Sequence, residues 1–199
     1  MTRKVLLVTT VSWPSVPRYA AGFAAAGCKV DTFAPAGAPV TASRYIDKHY
    51  VYEAFTPISA LRQAIEKSNP DLLVACDDRA VTVLLRLAES ENGRFRALVE
   101  HSLGRISNYA EMLSRNDSLA AMAAEGVRIP LTYPVSNEDE LEQRLSQIGY
   151  PAVVKSDGSW GGEGVIVARD HDAAIAAYRR LANPPSRLRN LVRAVRRRD

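Results

Sequence analysis

The sequence predicts an α/β domain with a parallel sheet, followed by a smaller α+β unit. In the first hundred residues, short apolar runs alternate with helix-length segments, the pattern of strands joined by helical crossovers. After about residue 105, helices surround two short strands that are joined by a glycine-rich stretch. The 199 residues are 47% hydrophobic and 24% charged, which is ordinary for a globular protein that buries its own core.

The elements of the first domain follow from these runs in order. Residues 4–9 form a continuous β-branched and leucine run, which suits a strand buried on both faces. Further strands are predicted at 28–33, 48–52 and 71–76, and helices at 17–26, 58–67 and 80–88. Gly27 ends the first of these helices and the turn at 68–70 ends the second. Crossovers of this length predict helices on both faces of the sheet.

The second unit is predicted to begin near residue 105. Helical pattern continues from 95 to about 125, broken near Gly104 and again at 114–117. Asn116 or Asp117 is a natural N-cap for a helix over 119–125. The remaining predicted elements are a strand near 131–135, a helix over 138–147 capped by Ser136 or Asn137, strands at 152–155 and 165–168, a helix over 172–181, and a basic helix after 183–185.

Composition excludes several classes of protein. The sequence has no run of about 18 apolar residues, and its start is typical of a buried strand rather than a signal peptide, so we expect a cytoplasmic protein without a membrane span. Cys28 and Cys76 are expected to be free, buried thiols. The three histidines, His49, His101 and His171, are scattered, which argues against a structural zinc site.

The net charge of +4 belongs to the end of the chain. Six arginines lie in the last thirteen residues, at 187, 189, 193, 196, 197 and 198. Such a tail without interleaved aromatic residues is weak evidence for nucleic-acid binding, and a helix with a solvated basic face is the favoured interpretation.

The most informative segment is the glycine-rich stretch after Lys155. This lysine ends an apolar strand, a serine and glycine loop follows at 158–164, and the chain enters another strand at Val165. Glycines allow backbone N–H groups to converge on an anion, and the lysine adds a point charge for phosphate. The alternative is a hairpin with a long turn, although about eight turn residues exceed the two to five that a hairpin needs. Neither a P-loop nor a dinucleotide-binding glycine motif is present.

Two other positions are candidates for substrate binding. Asp77 and Asp78 follow a strand, at the edge where open α/β sheets bind ligands, although a helix N-cap is the favoured role there. Thr10 and Trp13 belong to the first strand-to-helix loop. They could line a substrate pocket, and Trp13 could equally be a packing anchor.

The stretch from about 115 to 181 resembles the first ATP-grasp subdomain of the carboxylate–amine ligase superfamily. The resemblance rests on the order and spacing of EGVRIP at 125–130, IGYPAVVK at 148–155 and GSWGGEGV at 158–165. Residues 1–105 resemble, in pattern only, the Rossmann-like pre-ATP-grasp domain of that superfamily. The implied organisation is a pre-ATP-grasp domain at 1–105, a first ATP-grasp subdomain at 106–182, and a basic helical tail at 183–199 that leads to a C-terminal lobe beyond residue 199.

The resemblance implies roles for individual residues. Lys155 would contact the nucleotide near its α-phosphate and adenine, and the loop would cover the β- and γ-phosphates. Ser118 stands where relatives carry a second phosphate-binding lysine, and Arg115 is close enough to substitute for it. The implied nucleotide-binding residues are Lys155, Ser159, Trp160, Gly161, Gly162, Glu163, Gly164, Arg115 and Ser118.

The implied activity is an ATP-dependent ligation with ATP and magnesium as cofactors. A carboxylate and an amine that the sequence does not identify would be the reacting partners, and a homodimer is a possible assembly. The catalytic residues are not identified, and the metal ligands are expected beyond residue 199, so the 199-residue chain alone is expected to be inactive. The alternative, motivated by Ser118, is a non-catalytic module that binds a nucleotide or another small ligand.

Overall fold

The computed structural model describes residues 2–91, 93–109, 114–156 and 164–182. The chain divides into two compact units, Met1–Tyr109 and Ala110–Asp199. The first unit contains the elements β1 (Lys4–Val8), α1 (Val16–Ala25), β2 (Lys29–Ala34), β3 (Lys48–Val51), α2 (Pro57–Ser68), β4 (Leu72–Ala75), α3 (Asp78–Ser90) and α4 (Arg94–Leu103), with short 3-10 turns at Pro39–Ala42 and Ile106–Asn108.

The four strands of the first unit form one parallel sheet in the order β3-β2-β1-β4. Its two faces carry separate cores, because successive side chains of a strand point to opposite sides. Leu6 and Val8 pack with Phe33 and with residues of α2 and α3, whereas Val5 and Leu7 pack with residues of α1. The predicted parallel sheet with helices on both faces is therefore confirmed.

Gly27 ends α1 as predicted. Its N–H donates to the carbonyl of Ala24 and the N–H of Cys28 donates to the carbonyl of Phe23, both at 3.0 Å. These two bonds form a Schellman motif, which requires the left-handed backbone that Gly27 adopts at φ 80°. The motif turns the chain directly into β2.

The second unit contains α5 (Arg115–Ala124), α6 (Glu138–Ile148), β5 (Ala152–Lys155), β6 (Val165–Ala168) and α7 (His171–Ala182). β5 and β6 are antiparallel, and one face of this pair packs against the two later helices. Its buried core consists of Leu141, Leu145, Ala152, Ala168 and Ala174. Of the two predicted caps for α6, Ser136 and Asn137, the structure shows Asn137. Its side chain accepts from the N–H of Glu140 at 2.8 Å.

Two predictions in the second unit are wrong. Residues 131–135 do not form a strand, and Leu131 is 63% exposed rather than packed against a sheet. Pro130 and Pro134 supply no N–H for a ladder, which explains why an apolar run fails to pair here. The helix that was predicted over 119–125, with Asn116 or Asp117 as its N-cap, begins at Arg115 and is capped by Ser114, whose side chain accepts from the N–H of Asp117 at 3.2 Å.

Each helix in the described part of the chain is too short or too polar to cross a lipid bilayer. Among the same residues, no three histidine, cysteine or acidic side chains are grouped as a metal site would require. Cys28 and Cys76 are free thiols as expected, but they are half-buried rather than buried.

The helices α6 and α7 are joined at the surface by two ionic contacts. Arg179 makes a two-pronged contact with Glu138, with both nitrogen-to-oxygen distances at 2.7 Å. The His171 Nε2 lies 3.1 Å from a carboxylate oxygen of Glu142, and its Nδ1 lies 3.4 Å from Asp172. The contact with Glu142, and then that with Asp172, raises the pKa of His171. Arg179 lowers the pKa of Glu138.

We expect the contact of His171 to stabilise the protein only at acidic pH. A group whose pKa rises on folding stabilises the fold fully below its unfolded pKa of about 6.5, and this contribution is lost as the pH rises through the folded pKa. The melting temperature of a His171→Gln variant should therefore fall below that of the original protein near pH ~5.5 and match it near pH ~8.5.

A Glu138→Gln variant is the matched control for this pH series. Glu138 and Arg179 both stay charged between pH ~5.5 and ~8.5, so their contribution should not change over this range. A difference between His171→Gln and the original protein that is constant with pH would contradict the assigned contact.

Candidate functional site

The hairpin of β5 and β6 brings the ends of the glycine-rich loop together. Lys155, the last residue of β5, lies opposite Val165, the first residue of β6. The N–H of Ser156 donates to the carbonyl of Gly164 at 2.8 Å, so the strands stay paired up to the loop. Gly164 has a left-handed φ of 76°, which a glycine adopts without strain. Lys155 is therefore held beside the point where the loop leaves and returns.

The two faces of the hairpin differ in what they pack against. Ala152 and Val154 are buried, at 5% and 9% exposure, against the core of the second unit. Because side chains alternate along a strand, Val153 and Lys155 lie on the other face, where both are exposed. Val165 and Val167 of β6 are also exposed there, and Val167 lies directly opposite Val153. The open face is thus three valines with a lysine ammonium at the end next to the loop.

This arrangement suits a ligand with an apolar, planar part and an anionic part. The valines offer a flat apolar surface, while the ammonium of Lys155 offers up to three donors to an anion. Five of the predicted nucleotide-binding residues, Ser159, Trp160, Gly161, Gly162 and Glu163, lie outside the described residues. Gly164 and Lys155 are the predicted members that the structure brings together.

Arg115 and Ser118 lie on the first turn of α5. Arg115 is the first residue of the helix, and its side chain lies outside the described part. Ser118 follows three residues later and its N–H donates to the carbonyl of Ser114 at 2.9 Å. Positions three apart share a helix face, so the two predicted phosphate-contacting residues belong to one side of α5.

Of the predicted substrate residues of the first unit, the structure brings Thr10 and Asp77 into contact. Asp77 is the N-cap of α3: its Oδ1 accepts from the N–H of Ala80 at 2.9 Å and from the hydroxyl of Thr10 at 2.8 Å. Its Oδ2 accepts from the N–H of Thr10 at 2.7 Å and lies 2.9 Å from the hydroxyl of Thr9. The favoured role as a cap is confirmed, but the bonds to both threonines were not predicted.

The carboxylate of Asp77 is therefore engaged by its own chain on both oxygens. It joins the loop after β1 to the start of α3, which holds the loop in one conformation. Asp78 is the first residue of α3 and is exposed. Burial, and then the charge of Asp77, raises the pKa of Cys76 to about 12, so this thiol stays protonated near neutral pH and is a poor nucleophile.

The sequence analysis missed one exposed residue at the carboxyl edge of the parallel sheet. Phe55, in the loop after β3, is 88% exposed, more than the other large apolar side chains that the structure describes. Trp13, in the loop after β1, is 40% exposed. Phe55 carries no periodic signal in the sequence, and its loop follows β3, which lies two strands from β1 in the sheet.

Residues 114–186 match the family model of the ATP-binding domain of the carbamoyl-phosphate synthase L chain. The chain is 28% identical over 152 residues to the carbamoyl phosphate synthase large chain of Pyrobaculum aerophilum, an alignment that covers 74% of this chain and 14% of that protein. It is 25% identical over 134 residues to the formate-dependent phosphoribosylglycinamide formyltransferase of Saccharolobus solfataricus, covering 66% of this chain and 32% of that protein.

Among solved structures, the chain is similar to N5-carboxyaminoimidazole ribonucleotide synthetase in its ADP complex. The TM-score is 0.65 at 18% sequence identity, and the match covers 92% of this chain and 44% of that one. The chain therefore spans less than half the length of these relatives. The fold class predicted from the sequence agrees with the folds of these proteins.

Proposed function

We propose that this chain belongs to the ATP-grasp superfamily of carboxylate–amine ligases and that it forms the part of such a ligase that holds the nucleotide phosphates. The proposed organisation is a pre-ATP-grasp domain at 1–105, a first ATP-grasp subdomain at 106–182 and a connecting tail at 183–199. The match of residues 114–186 to an ATP-binding domain supports the second of these assignments.

The observation that carries the proposal is the open face of the β5–β6 hairpin. Val153, Val165 and Val167 form an apolar surface of a size that suits an adenine ring, and they are exposed by 39 to 57%. Lys155 lies on the same face beside the loop ends. A nucleotide could therefore pack its base on the valines while its phosphates reach the lysine and the glycine loop.

In this proposal the chain binds and orients rather than reacts. The ammonium of Lys155 neutralises phosphate charge, and backbone N–H groups of the loop would donate to the phosphate oxygens. When bound, ATP with magnesium would supply the phosphoryl group that activates a carboxylate for attack by an amine. Closing the loop over the phosphates would exclude water from that activated carboxylate.

The proposal also covers features that belong to the whole ligase. Magnesium would bind together with the nucleotide, and a carboxylate and an amine would be the reacting partners. The ligase would act in the cytoplasm, where ATP is available. Light scattering of the purified protein tests for the homodimer.

Calorimetric titration of Mg-ATP and Mg-ADP tests the assignment of Lys155. We expect Lys155→Ala to weaken binding by at least about tenfold, because a charged hydrogen bond contributes roughly 1.5–3 kcal/mol and ~1.4 kcal/mol corresponds to tenfold. Lys67→Ala is the matched control, since Lys67 is an exposed lysine on α2 in the first unit. Equal affinities of Lys155→Ala and Lys67→Ala would contradict the proposed phosphate site.

The same titration separates the alternative of a non-catalytic binding module. Ser118 occupies the position on α5 where the resemblance expects a lysine. A Ser118→Lys variant that binds Mg-ATP several-fold more tightly would favour a ligase site that has lost one contact. An unchanged affinity would favour a module whose α5 no longer takes part in phosphate binding.

A further inference from the structure

A groove of about 470 Å³ lies on the surface between α6 and α7 in the second unit. Helix α7 turns Ala174 and Ala177 into the core and its groove-lining side chains away from it. The groove therefore combines a short apolar strip with a set of charged groups. Its lining consists of Glu138 and Glu142 of α6 and of His171, Asp172, Ile175, Ala176 and Arg179 of α7.

The charge of this groove is predominantly negative, because three carboxylates face one guanidinium. Arg179 is engaged by Glu138 through both of its contacts at 2.7 Å. Glu142 and Asp172 each contact one nitrogen of His171. A carboxylate has about four acceptor positions, so both can accept hydrogen bonds from a further cation. The side chain of Asp172 is fully exposed and open to such a partner.

The arginine-rich segment, residues 187–198, has the complementary chemistry in its sequence. It lies outside the described residues and beyond residue 186, where the match to the ATP-binding domain ends. Its apolar residues recur at 188, 191, 192 and 195, which is the i, i+3, i+4, i+7 spacing of one face of a helix. All six arginines of the tail fall within the same segment. The pattern predicts a basic amphipathic helix that needs an apolar surface to cover its stripe.

The position of the segment in the chain suits this groove. Helix α7 ends at Ala182, and the four residues 183–186 have the length of the connection in an antiparallel helix pair, about two to five residues. At 1.5 Å per residue, a helix over 188–195 is roughly 10 Å long and the groove from His171 to Arg179 is roughly 12 Å long. An antiparallel course along α7 brings the stripe to Ile175 and Ala176, and the last arginines to the start of α7, where Asp172 lies.

We propose that the groove between α6 and α7 is the docking surface of the arginine-rich segment of the same chain. The apolar stripe packs on Ile175, which is half-buried, and on Ala176, which is exposed. The arginines at the end of the segment pair with Glu142 and Asp172. Docking neutralises these arginines within the second unit, so they are not presented to a polyanion. The inference goes beyond the proposed nucleotide site and does not depend on it.

Limited digestion of the full chain with trypsin, followed by mass spectrometry, tests the docking through the rate of cleavage after Arg189. Trypsin cuts a segment when it is released, so this rate follows the undocked fraction. Glu142→Gln/Asp172→Asn should be cleaved about fivefold faster, because two exposed ion pairs are lost. His171→Gln is the matched control. It breaks the same contacts with the imidazole but keeps both carboxylates, so its rate should equal that of the original protein.

Two pairs of arginines test the same docking from the side of the segment. In the predicted helix, Arg196 and Arg198 adjoin the apolar stripe, whereas Arg193 and Arg197 lie on the opposite side. Arg196→Gln/Arg198→Gln should be cleaved after Arg189 about fivefold faster than the original protein. Arg193→Gln/Arg197→Gln removes the same charge and should leave the rate unchanged.

Equal effects of the two arginine pairs would overturn the docking. So would equal rates of the original protein and Glu142→Gln/Asp172→Asn. Cleavage that slows as the protein concentration rises would overturn docking within one chain, since the segment of a second copy would then fill the groove. Lys155→Ala should be cleaved at the rate of the original protein, so a failed nucleotide site and a failed docking groove give different results.

Discussion

Replacing Asp77 with asparagine is expected to lower the free energy of unfolding of the first unit by about 2 kcal/mol, and replacing it with alanine by about 3 kcal/mol. Asparagine keeps one side-chain oxygen, which can still cap α3 through the N–H of Ala80. Its amide nitrogen then faces the backbone N–H of Thr10. In the original protein this N–H donates to Oδ2 of Asp77 at 2.7 Å. Two donors in contact leave that N–H without an acceptor. Alanine removes the cap as well as the bonds to the loop.

Urea unfolding followed by circular dichroism measures both losses, and the cap of α6 gives the matched control. Asn137 accepts one N–H bond, from Glu140, and ties down no distant loop. Asn137→Ala should therefore cost only ~1 kcal/mol, and Asn137→Asp almost nothing, because the two residues are equally good caps. Hydrogen exchange at Thr10 should accelerate in Asp77→Asn while exchange at Ala80 stays slow.

The comparison of asparagine with alanine decides between two roles of Asp77. If Asp77→Asn unfolds at the same urea concentration as the original protein, the bonds to Thr9 and Thr10 contribute nothing and Asp77 is an ordinary cap. If it loses most of what the alanine variant loses, the carboxylate acts chiefly on the loop after β1.

Two strands of the first unit, β1 and β4, could be predicted because each is a run of valine and leucine. The helices that follow β3 and β4 were predicted because apolar residues recur at helical spacing over 58–67 and 80–88. The observed bounds, Pro57–Ser68 and Asp78–Ser90, extend the predictions by one or two residues at each end. Packing of an amphipathic face sets such elements locally, without knowledge of the sheet order.

The errors arose where local chemistry offered several equivalent choices. Ser114, Asn116 and Asp117 can each cap a helix, and only the backbone shows that Ser114 does so. The apolar residues near Leu131 satisfy the composition of a strand, but Pro130 and Pro134 interrupt any ladder.

The two candidate sites differ in how much of their geometry could be predicted from the sequence. Lys155 and its loop are adjacent in the chain, so their proximity could be predicted from a hairpin alone. The contact of Asp77 with Thr9 and Thr10 joins residues more than sixty positions apart. It depends on β1 and β4 being neighbours, which periodicity does not reveal. The loop of Phe55 lies two strands from β1, and its position depends on sheet order in the same way.

A second large effect is expected at the start of β1, where Lys4 partly neutralises a buried acid. Asp31 is fully buried; its Oδ2 accepts from the hydroxyl of Ser68 at 2.6 Å and lies 3.8 Å from the ammonium of Lys4. Its Oδ1 has no hydrogen-bond partner among the described residues. The ammonium also donates to the carbonyl of Ser68 at 2.9 Å. Burial, and secondarily the charge of Asp31, raises the pKa of the neighbouring Tyr50.

Lys4→Met should therefore cost about 3 kcal/mol, because it keeps the apolar stem but leaves a buried carboxylate without its cation. Urea unfolding measures the loss. Lys29→Met is the matched control: Lys29 lies opposite Lys4 in the sheet and is exposed, so its loss should stay within ~0.5 kcal/mol.

The double variant Lys4→Met/Asp31→Leu separates the ion pair from its surroundings. Replacing both members of a buried pair with apolar residues is often neutral, so the double variant should recover most of the stability that Lys4→Met loses. A double variant that loses the sum of the two single losses would contradict the pairing, since independent side chains add and coupled ones do not. In that case the hydroxyl of Ser68 would be the group that stabilises the carboxylate, and the ammonium of Lys4 would serve only the last carbonyl of α2.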